Sequence, residues 1–401
     1  MPLFSHKLEC KKHYNIIVAG GGTAGCAAAI QAANCGMSVL LLEKKCLLGG
    51  LATGGLVNFM EPLCDGLGNT VIHGYTEKWT KALLDISYNT LPEIWRDGNP
   101  EHKTGRRYAT TYSANTFSLL LTEEMQKSGA DFLFDCSVTD VIMEENICKG
   151  VVIYGKAGFE YYECDVLIDT TGDCDALRAA GVPTVKGKNY FIYYGHAVSL
   201  ENCRKALDEN DIGKVYSGIC GGGVNLFGHN QPESIPLWSG LSPEDVSDYI
   251  KINHSIILDK IREKEKASTD IAVLPDMPQF RTTCHIQGEY TFTENDAYKH
   301  FDDSICVMND FERKEFLYEL PLRCLVNGGY PNIITAGRSV SSDGYGWDIT
   351  RVIPIAVITG QAAAIVSSNA VKNNAPVYGV NIRAVQKEIE ANNILVHFEE
   401  R

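Results

Sequence analysis

The chain is defined first by what it lacks. Its fourteen cysteines include no Cys-x-x-Cys pair, and no Cys/His group has zinc-ligand spacing. The short acidic pair Asp173 and Asp175 has no further ligands nearby in sequence, so no metal site is expected. No dense run of lysine and arginine occurs, and the formal charge is −14. That argues against nucleic acid or an anionic membrane as the main partner. The N-terminal stretch has no apolar core before a cleavage site, so a signal peptide is not expected. The longest apolar tract, "VIPIAVITGQAAAIVSS", reads as too short and too interrupted to span a bilayer. Cysteines in such a chain are expected as reduced thiols in a cytoplasmic protein. There is no Gly-x-Ser-x-Gly elbow to anchor hydrolase chemistry, no internal repeat and no low-complexity linker.

What is present is ordinary in bulk and specific in detail. The 401 residues, 45% hydrophobic and 21% charged, suffice for two domains or one large fold with an insertion. Near the N-terminus lies "YNIIVAGGGTAGCAAAIQAANCGMSVLLLEKK". Tyr14 to Ala19 reads as a buried strand, Thr23 to about Asn34 as an alanine-rich helix, and Ser38 to Leu42 as a second strand ending at Glu43. Gly20, Gly22 and Gly25 fall in Gly-x-Gly-x-x-Gly spacing at the strand–helix turn. Gly20 permits the tight turn, Gly22 lets the backbone approach a pyrophosphate, and Gly25 with Ala24 lets the helix pack closely. The helix N-terminus at Thr23 offers N–H groups and a positive dipole end to phosphates. Glu43 can accept from ribose hydroxyls, which disfavours a 2′-phosphate and hence NADP. The motif alone leaves FAD and NAD open.

The rest of the chain favours FAD. The Gly-rich segment "LEKKCLLGGLATGGL" follows the second strand directly. The stretch 131–175 reads as a β-meander and a buried strand, Val166 to Asp169, ending in "TTGD". Residues 331–368 read as a strand, a Gly-Arg turn, a loop and a small-residue helix. A second Gly-x-Gly-x-x-Gly is missing, so no separate NADPH domain is carried.

These motifs, together with "VIHGYTEKW" and "RTTCHIQGEYTFTENDAYKHFDDSI", resemble those of the FAD-dependent oxidoreductase family within the glutathione-reductase-like (two-dinucleotide-binding-domain) flavoproteins. The resemblance covers most of the chain. It implies an α/β fold: a Rossmann-like FAD-binding domain with a parallel sheet, helices and a β-meander, and an inserted α+β substrate or cap domain. The FAD-binding domain would be discontinuous, from 1–53, 110–183 and 320–401. Residues 54–109 would line the flavin–substrate cleft, and 184–319 would form the cap. Within the cap, residues 243–266 read as an amphipathic helix whose apolar face Asn253 interrupts.

FAD is expected as a non-covalent cofactor. Beside Gly20, Gly22, Thr23, Ala24, Gly25 and Glu43, the resemblance brings Lys44, Gly49, Gly50, Leu51, Ala52 and Thr53 to it. It likewise brings Val138, Thr171 and Gly172 from the middle of the chain, and Gly337, Arg338, Ile353 and Pro354 from its last third. Gly360 and Gln361 would lie deeper in the packed helix. A helix beginning near Thr350–Arg351 would aim its N-terminus at the flavin edge. Disulfide exchange is excluded, because Cys46 precedes Gly49–Gly50 and the next cysteine is Cys64.

Catalytic candidates are His73, Arg281, His285, Tyr345 and Arg351. His73, with Glu77 as partner, reads either as a proton carrier or covalent attachment point, or as a hydrogen-bonded histidine at a helix start. Arg281 and His285, four apart, would share one strand face; with Arg323 they read either as a basic group binding a carboxylate or ring oxygen in the cleft, or as surface salt-bridge residues. Arg351 reads as a charge near the flavin or as a structural partner of Asp348. Tyr345 and Trp347 are pocket-shaping or packing aromatics. The expected activity is hydride transfer between FAD and a small polar organic substrate, with an unidentified electron donor or acceptor. Rival readings are a tRNA- or macromolecule-modifying flavoenzyme, a non-catalytic FAD-binding redox sensor, and an NAD-dependent dehydrogenase. Oligomeric state is left open.

Overall fold

A computed structural model describes residues 7–92 and 106–398. The part of the segment 54–109 from 93 to 105 lies outside the described residues.

The fingerprint folds as its residue pattern dictates. The first strand, Cys10–Ala19, alternates two buried faces. Ile16 and Val18 face one core, while Ile17 and Ala19 face another. It pairs in parallel with Val39–Leu42 on one side (Ile17 opposite Leu40) and Gly158–Asp169 on the other (Ile17 opposite Leu167). The short strand Asp131–Leu133 extends the sheet beyond Val39–Leu42. Between the first two sheet strands in the chain runs the helix Thr23–Asn34, with Cys35 as its C-cap. Gly36, at φ +84°, turns the chain back toward the sheet.

On the edge away from Cys10–Ala19, the strand Gly158–Asp169 serves two partners in succession. Its first half closes the antiparallel meander Ser137–Glu144, Ile147–Gly155, Gly158–Asp169, with Gly150 opposite Glu163. Its last three residues pair in parallel with Ile333–Thr335, Ile168 opposite Ile334. The parallel sheet and the meander thus share one twelve-residue strand.

The core on the Ile16/Val18 face holds the helices Thr23–Asn34, Gly74–Ile86, Ala114–Ser128 and Ile353–Asn373. The 21-residue helix Ile353–Asn373 is in fact long and apolar enough to cross a membrane, contrary to the reading of its sequence. It is instead almost wholly buried, and its apolar surface is covered by protein. At Gly360 a β-carbon would lie 2.2 Å from the Ala24 carbonyl oxygen, so the two helices cross backbone to backbone. Gln361 ties the crossing together: Oε1 accepts from Tyr75 N (2.8 Å) and Nε2 donates to Gln31 Oε1 (3.1 Å).

A separate core lies under the antiparallel sheet Tyr216–Gly223, Ile192–Ser199, Thr269–Val273 and the helix Pro243–Arg262. Asn253 does not interrupt that helix's inner face. It is fully buried, accepts from Gly222 N at 2.8 Å and donates to the Tyr249 carbonyl at 2.8 Å. The hairpin Ser304–Asn309/Leu317–Pro321 packs Ile305, Met308, Tyr318 and Leu320 into the large helical core. The boundary expected at 319/320 therefore falls inside its second strand.

Candidate active site

A cleft of about 1270 Å³, counting its open mouth, runs along the C-terminal ends of the parallel strands. Of the predicted cofactor residues, Gly20, Gly22, Thr23, Ala24, Glu43, Lys44, Gly49, Gly50, Leu51, Ala52, Val138, Thr171, Gly172, Gly337, Arg338 and Ile353 form its wall. Gly25, Thr53 and Pro354 do not. A β-carbon at Gly25 would lie 1.9 Å from the Gly20 carbonyl oxygen, so this glycine serves packing inside the turn. Thr53 is buried with its hydroxyl on the Leu48 carbonyl (2.6 Å). Pro354 is buried and accepts from Thr76 Oγ1 at 3.1 Å.

The two other fingerprint glycines differ in cause. Gly20 has φ +99°, and a β-carbon there would lie 2.7 Å from the Thr170 carbonyl oxygen. At Gly22 the backbone is extended, and a β-carbon would meet nothing nearer than the Thr170 oxygen at 4.0 Å. The protein's own packing does not demand glycine at 22. The helix behind it starts without a side-chain cap, leaving backbone N–H donors toward the cleft. A phosphate-bearing group approaching this backbone supplies the missing reason.

Glu43 is buried, and burial raises its pKa. Oε2 accepts from Gly21 N (2.6 Å) and Oε1 from Lys45 N (2.7 Å), so the acid fastens the Gly49-containing loop to the fingerprint while lining the cleft. Gly49 N completes that junction by donating to the Gly21 carbonyl at 2.8 Å. Asp169, fully buried, shapes the next turn: it accepts from Thr171 N (2.8 Å), Thr171 Oγ1 (2.7 Å) and Leu177 N (2.8 Å). Burial pushes its carboxyl up to about 6.

This is a dinucleotide cradle joined to the β-meander and to a second parallel strand carrying Gly337, and residues 15–217 and 250–389 match the sequence profile described as FAD dependent oxidoreductase. The chain belongs to the FAD-dependent oxidoreductase family.

Its cofactor is FAD. The unexplained Gly22, the uncapped helix start and the cleft beside Glu43 fit that group. The chain is 29% identical over 263 residues to digeranylgeranylglycerophospholipid reductase 1 of Methanococcoides burtonii, covering 61% of this chain and 60% of that protein. It is 28% identical over 190 residues to the tRNA uridine 5-carboxymethylaminomethyl modification enzyme MnmG of Geobacter sulfurreducens, covering 45% of this chain and 27% of that one. The chain spans less than two thirds of the curated relatives it matches, 42% and 60% for two reductases of M. burtonii. Among solved structures, CabE, an aromatic hydroxylase from angucycline biosynthesis, aligns over 95% of this chain and 68% of its own at a TM-score of 0.51 and 12% identity. That likeness is one of fold.

The catalytic candidates of this FAD-dependent family member separate in space. Only Arg351 lines the cleft. It lies between a short helix, Gly344–Thr350, and the long helix, which starts at Ile353 rather than near 350. Arg351 Nε donates to Asp348 Oδ1 at 2.7 Å. Arg281 sits within electrostatic reach of Arg351 and Asp348, and burial together with Arg351 draws its pKa down to about 10. Its Nη1 is shut off from solvent without a hydrogen-bond partner.

His285 does not accompany Arg281. The strand is only Cys284–Ile286, so no four-residue strand face exists. His285 is buried, with Nδ1 on the Ile286 carbonyl (2.7 Å) and its ring edge-on to Trp347 (4.6 Å). Burial lowers its pKa. Arg323 instead grips Asp303 with both arms at 2.9 Å.

Tyr345 also faces away from the cleft wall, donating to Asp310 Oδ1 (2.7 Å) and stacking on Phe227 at 6.0 Å. Trp347 packs, with Nε1 on the Arg338 carbonyl at 2.8 Å. His73 precedes the helix Gly74–Ile86 and bonds Glu77 at 2.8 Å. That bond, with Lys81, draws Glu77 down to about 2. The acidic pair is likewise engaged: Asp173 by Arg338 (2.6 Å) and Asp175 by Arg178.

Several residues escaped the sequence reading, Asp276, Met277 and Glu61 among them. Asp276 and Met277 complete the cleft wall, and the Lys45 ammonium reaches the Asp276 carbonyl. Glu61 is electrostatically coupled to Arg351 and Arg106, and burial pushes its carboxyl up to about 7. No local motif marks any of them.

Proposed function

We propose that this chain transfers a hydride between FAD and a small polar organic substrate, and that Arg281 and Arg351 hold an anionic group of that substrate. The carrying observation is the guanidinium of Arg281, whose buried Nη1 is unpaired behind the cleft wall, within electrostatic reach of Arg351, which lines it. Two neighbouring cations disfavour each other unless an anion lies between them. When bound, FAD supplies the two-electron acceptor or donor.

The chain's own groups do the rest. Arg351 orients the anionic end, and Asp348 holds Arg351 in place. Glu61, poised near neutrality, holds or releases a proton beside Arg351. The uncapped N-terminus at Ile353 places a positive dipole end at the same part of the cleft. Asp276 and Met277 complete the cleft wall.

The same reading places the chain among the glutathione-reductase-like flavoproteins, on the strength of its single N-terminal fingerprint and its meander. It takes FAD as non-covalent: His73 is engaged by Glu77 off the cleft wall, and Cys46 is exposed on the loop. It assigns 1–53, 110–183 and 320–401 to the FAD-binding part, together with the hairpin from Ser304, and the remainder of 184–319 to the cap. Its partners are a small-molecule substrate and an electron donor or acceptor in the cytoplasm, with neither nucleic acid nor membrane.

The test begins with the visible spectrum of purified protein, which must show FAD. The reduced holoprotein is then mixed anaerobically with carboxylate-bearing acceptors, uncharged analogues and isoprenoid lipids, and the oxidised protein with the corresponding donors. Faster turnover with carboxylates, lost in Arg281→Met, supports the reading. Turnover with isoprenoid lipids alone, or tight salt-sensitive tRNA binding in a gel shift, overturns it.

A further inference from the structure

Outside the cleft, three metal-ligating side chains converge from three separate stretches of chain. Glu319 lies in the strand Leu317–Pro321 with no exposed side-chain surface. His300 lies in the loop leading to the strand Ser304–Asn309. His397 belongs to the C-terminal segment, which runs along that strand through Val307 N to the Leu395 carbonyl (2.7 Å) and Ser304 Oγ to the Val396 carbonyl (2.6 Å). His300 Nδ1 is 3.3 Å from Glu319 Oε2, and His397 Nδ1 is 3.0 Å from Glu319 Oε1. One ligand atom from each residue lies within 4.8 Å of the others.

A second observation sets this cluster apart from an ordinary ion pair. Glu319 Oε1 and His397 Nδ1 are both shut off from solvent, and neither makes a hydrogen bond despite their closeness. Each such buried, unsatisfied group carries a desolvation penalty. The remaining carboxylate oxygen is held by Phe301 N at 2.8 Å, which fixes the carboxylate plane. Gln386 spends its Nε2 on the carbonyls of Asp302 and Ser304 (2.9 and 3.0 Å), steadying the loop that carries His300.

We propose that His300, Glu319 and His397 bind one divalent transition-metal ion of the zinc class. Two imidazole nitrogens and one carboxylate suit zinc, whereas calcium and magnesium take oxygen-only shells. Metal–ligand bonds of about 2.0–2.1 Å in a tetrahedron place neighbouring ligand atoms about 3.3 Å apart; the two histidine–carboxylate separations are 3.3 and 3.0 Å, one to each oxygen of Glu319. His300 is half exposed, so an ion can enter from solvent and keep a water as its fourth ligand. None of the three side chains borders the cleft. The ion therefore acts as a staple, fastening the C-terminal segment to the hairpin. Sequence spacing conceals the site because no two ligands come from one local motif.

The test uses tag-free, full-length holoprotein, stripped with chelator, desalted and titrated with ZnCl₂ and separately with CoCl₂. One equivalent of zinc is expected, with a rise in Tm, and cobalt is expected to give ligand-field bands to the red of the flavin absorption. His397→Ala should weaken zinc binding by at least about 100-fold and abolish the cobalt bands. His300→Ala, at a half-exposed position that leaves the fold intact, should do the same without lowering FAD content. The proposal is overturned if the wild-type chain takes up no stoichiometric zinc. It is equally overturned if both histidine variants bind zinc as the wild type does, which would assign the metal to cysteine thiols.

Discussion

Arg338 donates from Nη1 to the carbonyl of Phe280 at 3.0 Å, and so joins the turn after the last parallel strand to a distant stretch of chain. Its Nε holds the Gly172 carbonyl (2.7 Å) and its Nη2 holds Asp173 (2.6 Å). One guanidinium therefore ties both the "TTGD" turn and the backbone at Phe280 to the cleft wall. Arg338→Lys keeps the charge but not the three-way geometry. It should cost about 2–3 kcal/mol of stability and lower FAD affinity. Urea unfolding of the apoprotein and fluorescence titration with FAD measure the two effects separately.

Gly22 and Gly360 predict opposite consequences for the same chemical change. Gly22→Ala introduces no clash within the protein, so the apoprotein's Tm should stay the same or rise slightly. FAD binding should fall at least about tenfold, because the new methyl borders the cleft. Gly360→Ala drives a methyl into the Ala24 carbonyl and should destabilise by about 2–4 kcal/mol. Equal loss of stability in both variants would refute the assignment of Gly22 to the ligand.

Glu61 sets a pH dependence of definite sign. Its carboxyl is raised from 4.5 to about 7 in the folded protein. Between those values the folded state binds more protons than the unfolded chain, so stability falls as pH rises through the window. Glu61→Gln should remove that slope, leaving the variant about 1–3 kcal/mol more stable than wild type at pH 8 and near wild type below pH 4.5. Denaturant melts at several pH values decide this. The pH–rate profile should lose a limb near pH 7 in the same variant.

Arg351 offers an electrochemical test. Replacing it with Met removes a positive charge from the cleft wall and should lower the midpoint potential of bound FAD by about 30 mV, a tenfold change for a two-electron couple. An unchanged potential would place Arg351 out of reach of the redox centre. Arg281→Met, farther from the wall, should change substrate KM more than potential.

The sequence revealed those parts of the fold that depend on local backbone demands. Gly20, Gly22 and the helix after them were legible because turn geometry and helix packing constrain consecutive residues. The buried strands were legible because Ile16, Ile17, Val18 and Ala19 all had to be apolar on a two-faced parallel sheet. Asp276 and Met277 were hidden because they reach the cleft from a distant stretch that no periodicity marks, and Glu61 because only its electrostatic link to Arg351 ties it to the site. Arg281 and His285 misled for a related reason. Spacing implies a shared face only where a strand exists, and the strand begins at Cys284. Asn253 shows the converse: a polar residue in an apolar stripe marked a buried hydrogen bond to a neighbouring strand, not a flaw in the stripe.

The distribution of the fourteen thiols has a practical consequence. Only Cys10 and Cys46 are exposed. Burial raises the pKa of Cys26, Cys64, Cys136 and Cys306, which makes them sluggish toward alkylating reagents. Cys46 sits between Lys45 and Leu47, both on the rim of the cleft. The chain thus carries its own attachment point for a fluorophore beside the cofactor, in a Cys10→Ser background, with no engineered cysteine. Quenching of a dye there by incoming FAD would time cofactor loading directly.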